Sequence, residues 1–276
     1  MRLGWTARGV FGIRLHKKDR ALLELIQAYF NGVGNISKDG KDYLHYYVSS
    51  LKDLTDYIIP HFDKYPLITQ KLADYLLFKQ VVEMLKCKEH LTLEGLRKAL
   101  SIKASSNLGL SEQQKFAFPN ISPVKRPKVE LPAYINPYWL AGFTSAEGCF
   151  SVYYSQSSSH KFGRQVALWF SLSQHSRDTK LMKSLVQYFD CGRYQDWSTR
   201  NSGEFRVHLF SDVFNKIIPF FQEYPIIGVK NLDYLEFCKV AKLMKEGCHL
   251  TEEGLNEIKL IKNGMNKGRM ENLIQL

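Results

Sequence analysis

The sequence predicts an α+β chain that uses one domain plan twice. Three observations carry this. Two stretches of the 276-residue chain match each other at one fixed spacing. Within each stretch an apolar–polar alternation gives way to apolar residues three and four apart, the change from strand to helix. A proline-rich segment separates the two stretches.

The repeat is read residue by residue. Phe11 matches Phe170 and His16 matches His175, 159 positions on. The same offset joins Asp19 to Asp178, Tyr29-Phe30 to Tyr188-Phe189, and Ile58-Ile59-Pro60 to Ile217-Ile218-Pro219. It also joins Tyr65-Pro66 to Tyr224-Pro225, Lys71 to Lys230, Asp74-Tyr75 to Asp233-Tyr234, and Asn107 to Asn266. One residue slips where Gly34 meets Gly192. Chance does not hold one register that long, so a tandem duplication predicts two like domains about a pseudo-twofold axis.

The first half, residues 1–118, opens with a half-buried strand over 6–16. Ala7, Phe11, Ile13 and Leu15 lie on one face, and Thr6, Arg8, Gly12 and Arg14 on the other. Asp19 then opens a helix whose Leu22, Leu23, Ile26 and Phe30 form an apolar stripe. Short strands are predicted near 33–38 and 44–50, and helices near 51–63, 69–87 and from Thr92 to about Ser105. Residues 119–133 combine Pro119, Pro123, Pro127 and Pro132 with Lys125, Arg126 and Lys128, the composition of an extended basic linker.

The second half, 134–276, begins with a helix over 137–148. Asn136 suits the N-cap, Pro137 the first helical position, and Gly148 a left-handed exit. Trp139, Gly142, Phe143 and Ala146 share one face, where two small residues admit a second backbone. Glu147 sits in the last turn, where a carboxylate opposes the helix dipole at about 0.3–1 kcal/mol. A strand over 149–157 follows. Residues 165–173 alternate cleanly, with Val166, Leu168, Phe170 and Leu172 pointing one way. Further strands are predicted near 192–197 and 204–210.

Lys+Arg is 38 against Asp+Glu 27, a net charge of +11 that favours a polyanionic partner. The five cysteines form no CxxC pair and the eight histidines show no ligand spacing, so no zinc site is indicated. No apolar run reaches membrane length, and no membrane partner is expected. His16 and His175 each precede a helix start without a nucleophile nearby and are read as capping or packing groups.

The stretch Leu140-Ala141-Gly142-Phe143-Thr144-Ser145-Ala146-Glu147-Gly148 resembles the signature of the LAGLIDADG homing endonucleases. With the repeat, the chain is similar to the single-chain, two-repeat members of that family. The resemblance implies two domains, each a curved antiparallel sheet backed by helices, forming a DNA-binding saddle as a monomeric pseudo-dimer. It implies a site-specific endonuclease that hydrolyses double-stranded DNA at a long asymmetric target. Mg²⁺ is the implied metal, with Mn²⁺ or Ca²⁺ able to take its place, and Glu147 is the implied ligand and catalytic acid for one strand. By the same resemblance Lys71, Lys230 and Gln174 lie near the active centre.

The implied DNA-reading positions are outward strand residues, since a β-ribbon fits the major groove. In the second half these are Cys149, Ser151, Tyr153, Ser155, Gln165, Ala167, Trp169, Ser171, Ser173, Arg193, Gln195, Arg206 and His208. In the first half they are Thr6, Arg8, Val10, Gly12, Arg14, Asn35, Ser37, His45, Tyr47 and Ser49. The family's genes sit in organellar introns of fungi, which implies a mitochondrial location. An intron maturase that binds intron RNA, or a catalytically inactive DNA-binding relative, are the alternatives on the same fold.

Subtracting the repeat offset puts the counterpart of 140–148 ahead of Met1. The first half is therefore expected to lack its signature helix and first strand. With one acid the chain is expected to nick one strand at most. The face at Trp139, Gly142, Phe143 and Ala146 is expected to be an apolar patch prone to self-association.

Overall fold

A computed structural model describes residues 4–266. The chain divides into two units, Met1–Leu131 and Pro132–Leu276, each with its own sheet and core. The first unit runs β1 (Phe11–His16), α1 (Arg20–Tyr29), β2 (Asn35–Asp39), β3 (Tyr43–Val48), α2 (Leu51–Asp53), α3 (Ile59–Lys64), α4 (Lys71–Lys86), α5 (Leu93–Ala104) and α6 (Glu112–Ala117). Its three strands lie in the order β1-β3-β2, all antiparallel. Alternation in β3 buries Leu44, Tyr46 and Val48, which meet Leu23, Phe30, Leu54, Ile58 and Val82 from the helices.

The second unit runs α7 (Pro137–Glu147), β4 (Gly148–Gln156), β5 (Arg164–His175), α8 (Thr179–Tyr188), β6 (Arg193–Trp197), β7 (Ser202–Val207), α9 (Phe210–Asp212), α10 (Ile218–Glu223), α11 (Lys230–Lys245) and α12 (Glu252–Asn263). Its four antiparallel strands lie in the order β4-β5-β7-β6. Phe150 sits at the centre of an aromatic core, ringed by Phe170, Phe221, Tyr234 and Phe237 at 5.2–5.5 Å.

The repeat extends to irregularities. Leu54–Ile58 and Val213–Ile217 are both single π turns, each followed by a proline, Pro60 and Pro219. Proline has no N–H and its ring crowds the carbonyl four residues back. The preceding N–H groups, of Ile59 and Ile218, bond five residues back to Leu54 and Val213. The matched histidines also act alike: the Nδ1 atoms of His16 and His175 accept from the N–H groups of Lys18 and Arg177, capping short 3₁₀ turns. Asn107 and Asn266 each donate a backbone N–H to the carboxylate of Asp74 and Asp233 respectively.

Two local expectations are corrected. The first strand begins at Phe11, not at residue 6. Val48 pairs with Phe11 at the end of the β1–β3 ladder, and among the described residues no strand lies on the other edge of β1. Trp5–Val10 leave the sheet and line a cavity of about 380 Å³ against α4 and α5. Helix α6 adds to the elements that periodicity predicts, and Ser111 and Gln114 form at its start a capping box that S-x-x-Q signals in the sequence. The proline-rich segment from Pro119 has no regular secondary structure and is tied to the first unit. There Arg126 donates to the Asp74 carboxylate and the Ser105 carbonyl, both at 2.8 Å, and to the Gln70 carbonyl at 3.2 Å. Among the described residues no helix is long and apolar enough to cross a membrane.

Candidate functional site

Helix α7 is built by local rules. The Asn136 side chain accepts from the N–H groups of Tyr138 and Trp139, and Pro137 takes the first turn. Leu140, Ala141 and Thr144 face the core of the second unit. On the opposite side Gly142 and Ala146 are exposed, and a Cβ on Gly142 would meet no atom within 4 Å. Trp139 and Phe143 stack on each other at 4.9 Å along this same face.

The helix exit differs from the left-handed turn expected at Gly148. Gly148 is extended, with φ −75° and ψ 156°, because the chain passes directly into β4 and pairs with Leu172. Glycine is needed there for space: a Cβ would lie 2.6 Å from the Thr144 carbonyl oxygen. This tight exit presents Glu147 to solvent. Among the described residues its carboxylate has no hydrogen-bond or ion-pair partner.

Lys230 reaches the same point from the start of α11. Its ammonium donates to the carbonyls of Ala146, at 3.2 Å, and Gly148. These lie at the negative end of the α7 dipole, where a cation is favoured. Ser145 ties the approach to α11 in place, since its Oγ accepts from the Ile227 N–H and donates to the Ala141 carbonyl. The structure thus brings Lys230 to the helix end that carries Glu147. Gln174 lies two residues past the last β4–β5 pair, and its side-chain oxygen accepts from the His175 N–H. Lys71 opens α4 in the first unit and is exposed. Among the described residues no group of three or more His, Cys, Asp or Glu forms a metal cage.

The strand registers sort the remaining residues. In the second unit Cys149 pairs with Ser171, Ser151 with Trp169, Tyr153 with Ala167 and Ser155 with Gln165. Ser171 also pairs with Arg206, Arg206 with Arg193, and Gln195 with Glu204. Every residue of this set therefore shares the outer face of the sheet, with Ser173, which pairs with Glu204. His208 lies just beyond β7. Tyr153 stacks flat on Trp169, with ring centroids 5.1 Å apart and planes 4° apart, and the Arg206 guanidinium lies 4.8 Å from the Trp169 ring. Glu204 is the residue that sequence reasoning missed. Its parity in β7 gives it to the same face.

In the first unit Gly12 pairs with Tyr47, Arg14 with His45, Asn35 with Tyr47 and Ser37 with His45, so these six share one face. The His45 ring occupies the space a side chain at Gly12 would need. Thr6, Arg8 and Val10 do not join this face, because they precede β1 and line the cavity described above. Ser49 follows the last residue of β3.

Comparison with known proteins accounts for this arrangement. A model of the family described as LAGLIDADG endonuclease matches residues 1–82 and 140–241. Probable intron-encoded endonuclease 3 of Neurospora crassa is 43% identical over 262 residues, which are 94% of this chain and 49% of that protein. Probable intron-encoded endonuclease 2 of the same organism is 43% identical over 277 residues, 96% of this chain and 59% of that protein. The chain thus spans about half the length of the curated relatives it matches. The crystal structure of the LAGLIDADG homing endonuclease I-SmaMI bound to cleaved DNA superposes with a TM-score of 0.94 at 48% identity, covering 96% of this chain and 89% of that one. I-SmaMI has also been solved with an uncleaved DNA target in the presence of calcium ions. Two lysines 159 residues apart in it have been replaced by alanine, singly and together. With both halves matched and both sheets superposed on a solved member, the chain belongs to the LAGLIDADG endonuclease family.

Proposed function

We propose that this chain is a site-specific DNA endonuclease, with Glu147 as the acid for one strand and the two outer sheet faces as the DNA surface. The observation that carries the reading is the pairing of an unpartnered carboxylate at the end of α7 with an outer sheet face rich in arginine, aromatic and hydroxyl groups. The net charge of +11 suits the phosphate backbone. The DNA-bound structures of I-SmaMI support the same partner.

A divalent cation fits this site in one manner only. An exposed carboxylate that no described residue joins into a cage suits an ion that keeps its waters and takes substrate phosphate oxygens, the habit of Mg²⁺. Glu147 would hold that ion, which when bound supplies charge neutralisation and a more acidic water. Lys230 fixes the helix end that aims Glu147. The 159-residue separation of the two altered lysines in I-SmaMI equals that between Lys71 and Lys230, which supports a shared role for this pair. Mitochondrial introns are the proposed origin, in keeping with the intron-encoded relatives and the yeast mitochondrial protein RF1, 24% identical over 286 residues.

The test uses duplexes enriched by this protein from a randomised pool and cloned into a supercoiled plasmid. With Mg²⁺, the expected outcome is loss of the supercoiled form. Glu147→Gln keeps the size of the side chain but removes its charge, so it should abolish the cut and leave binding within a few-fold. Undiminished cutting by that variant would refute the assignment.

A further inference from the structure

An acid on a surface that meets DNA needs an explanation. Glu204 lies on the outer face of β7, with its side chain only 11% exposed, and its Oε2 accepts from Arg206 at 2.5 Å. A carboxylate turned toward phosphates weakens binding unless it serves another group. Here that group is identifiable. Arg206 stands directly across from Arg193, a like charge that would push it aside. It is held from two directions instead: Glu204 binds one nitrogen, and the Trp169 ring lies 4.8 Å beneath the guanidinium. Trp169 is in turn fixed by the flat stack on Tyr153. Three residues, from β4, β5 and β7, thus freeze one long side chain, leaving the other guanidinium N–H groups free of hydrogen bonds among the described residues.

The first unit holds an independent instance. Arg14 donates to Asp39 at 2.5 Å and lies 4.0 Å over the Tyr43 ring. These are not repeat counterparts, since position 173 is serine and position 47 is tyrosine. An arginine held between a ring and an acid therefore occurs on both outer faces, from different strands. The two differ in packing: the Arg14 and Asp39 side chains are 53% and 47% exposed, against 25% and 11% for Arg206 and Glu204. Water competes with the first clamp far more than with the second.

We propose that Glu204 is a positioning residue that, with the Tyr153–Trp169 stack, presents Arg206 to a guanine in the major groove. A planar donor fork held in advance matches the O6 and N7 acceptors of guanine, and its ordering entropy is spent before DNA arrives. The proposal rests on the outer sheet faces being the DNA surface.

The experiment selects duplexes from a randomised pool with the full chain and with Arg206→Ala, Glu204→Gln and the double variant, and sequences the bound fraction. The unaltered chain should enrich guanine at one position that Arg206→Ala loses, by roughly 5- to 150-fold in relative affinity. Glu204→Gln should lose part of the preference at that same position, and the double variant no more than Arg206→Ala alone. Affinity of Glu204→Gln for the unselected pool should rise, because a negative charge has left the surface; a purely structural role would lower it. If Glu204→Gln keeps the guanine preference, shifts a different base pair, or weakens all duplexes together, the positioning role is overturned while the DNA reading stands. If the unaltered chain enriches nothing, the DNA reading falls and this inference with it.

Discussion

The two units share a repeat but not a sheet. In the second, β5 is twelve residues long and is flanked by β4 on one side and β7 on the other. In the first, β1 is six residues long and, among the described residues, pairs on one side only. The sequence upstream of Phe11 alternates much as the counterpart in β5 does, yet it peels away from the sheet toward α4 and α5. The difference teaches that a strand is a property of its neighbours as much as of its residues. Backbone donors and acceptors in an extended segment must be matched, and among the described residues β4 offers the ladder that β5 extends along. The helices register the same contrast. Phe237 is fully buried against Phe150 of β4, while its repeat counterpart Phe78 is half-buried beside the cavity.

The largest test of this contrast is therefore in the aromatic cores. Phe150→Ala removes a ring that touches four others, and it should cost about 3–5 kcal/mol in the second unit. Phe78→Ala, on a half-exposed wall, should cost less than half of that. Urea unfolding followed by a probe in each unit measures both, and equal costs would break the comparison.

A smaller effect separates the matched lysines. Lys230 compensates the α7 dipole through two carbonyls, so Lys230→Ala should destabilise the second unit by about 0.3–1 kcal/mol. Among the described residues Lys71 opens α4 with no such helix end to cap, and Lys71→Ala should leave stability unchanged while still impairing cleavage. Loss of stability in both variants would show that the lysines serve structure alike.

The smallest effect is one of pH. His61 packs among Tyr29, Phe30, Phe62 and Tyr65, where the second unit has Phe220 in the matching cage. Burial lowers its affinity for a proton below that of an ordinary histidine. The unfolded chain then takes up the proton first, so stability is full above about pH 6.5 and declines as the pH falls through the folded value. His61→Phe should flatten this decline for the first unit. Burial also lowers His249 in the second unit, so that unit keeps a slope of its own. Melting curves at pH 7.5 and about pH 5.5 measure the change; an unaltered slope would remove His61 from the account.

Much of the chain is legible in its sequence. The repeat fixed the element order and predicted matched details such as the prolines at 60 and 219, which turned out to impose matched π turns. Parity along each strand assigned the outer-face residues of β4, β5 and β7, because side chains alternate with a period of two whatever lies beyond the strand. The signature at Leu140–Gly148 located Glu147 and the N-cap at Asn136, since capping and helix spacing are local. Tertiary structure decided what depends on residues far away in sequence. It set where β1 begins, because pairing needs a partner strand. It made Gly148 an extended residue crowded by Thr144, not a left-handed one, because β4 starts at once. It gave Lys230 a helix end to cap and Arg206 both a ring beneath it and an acid beside it, on strands that only folding brings together. Local patterns say which way a side chain points; which group it meets there is settled only when distant segments close on one another.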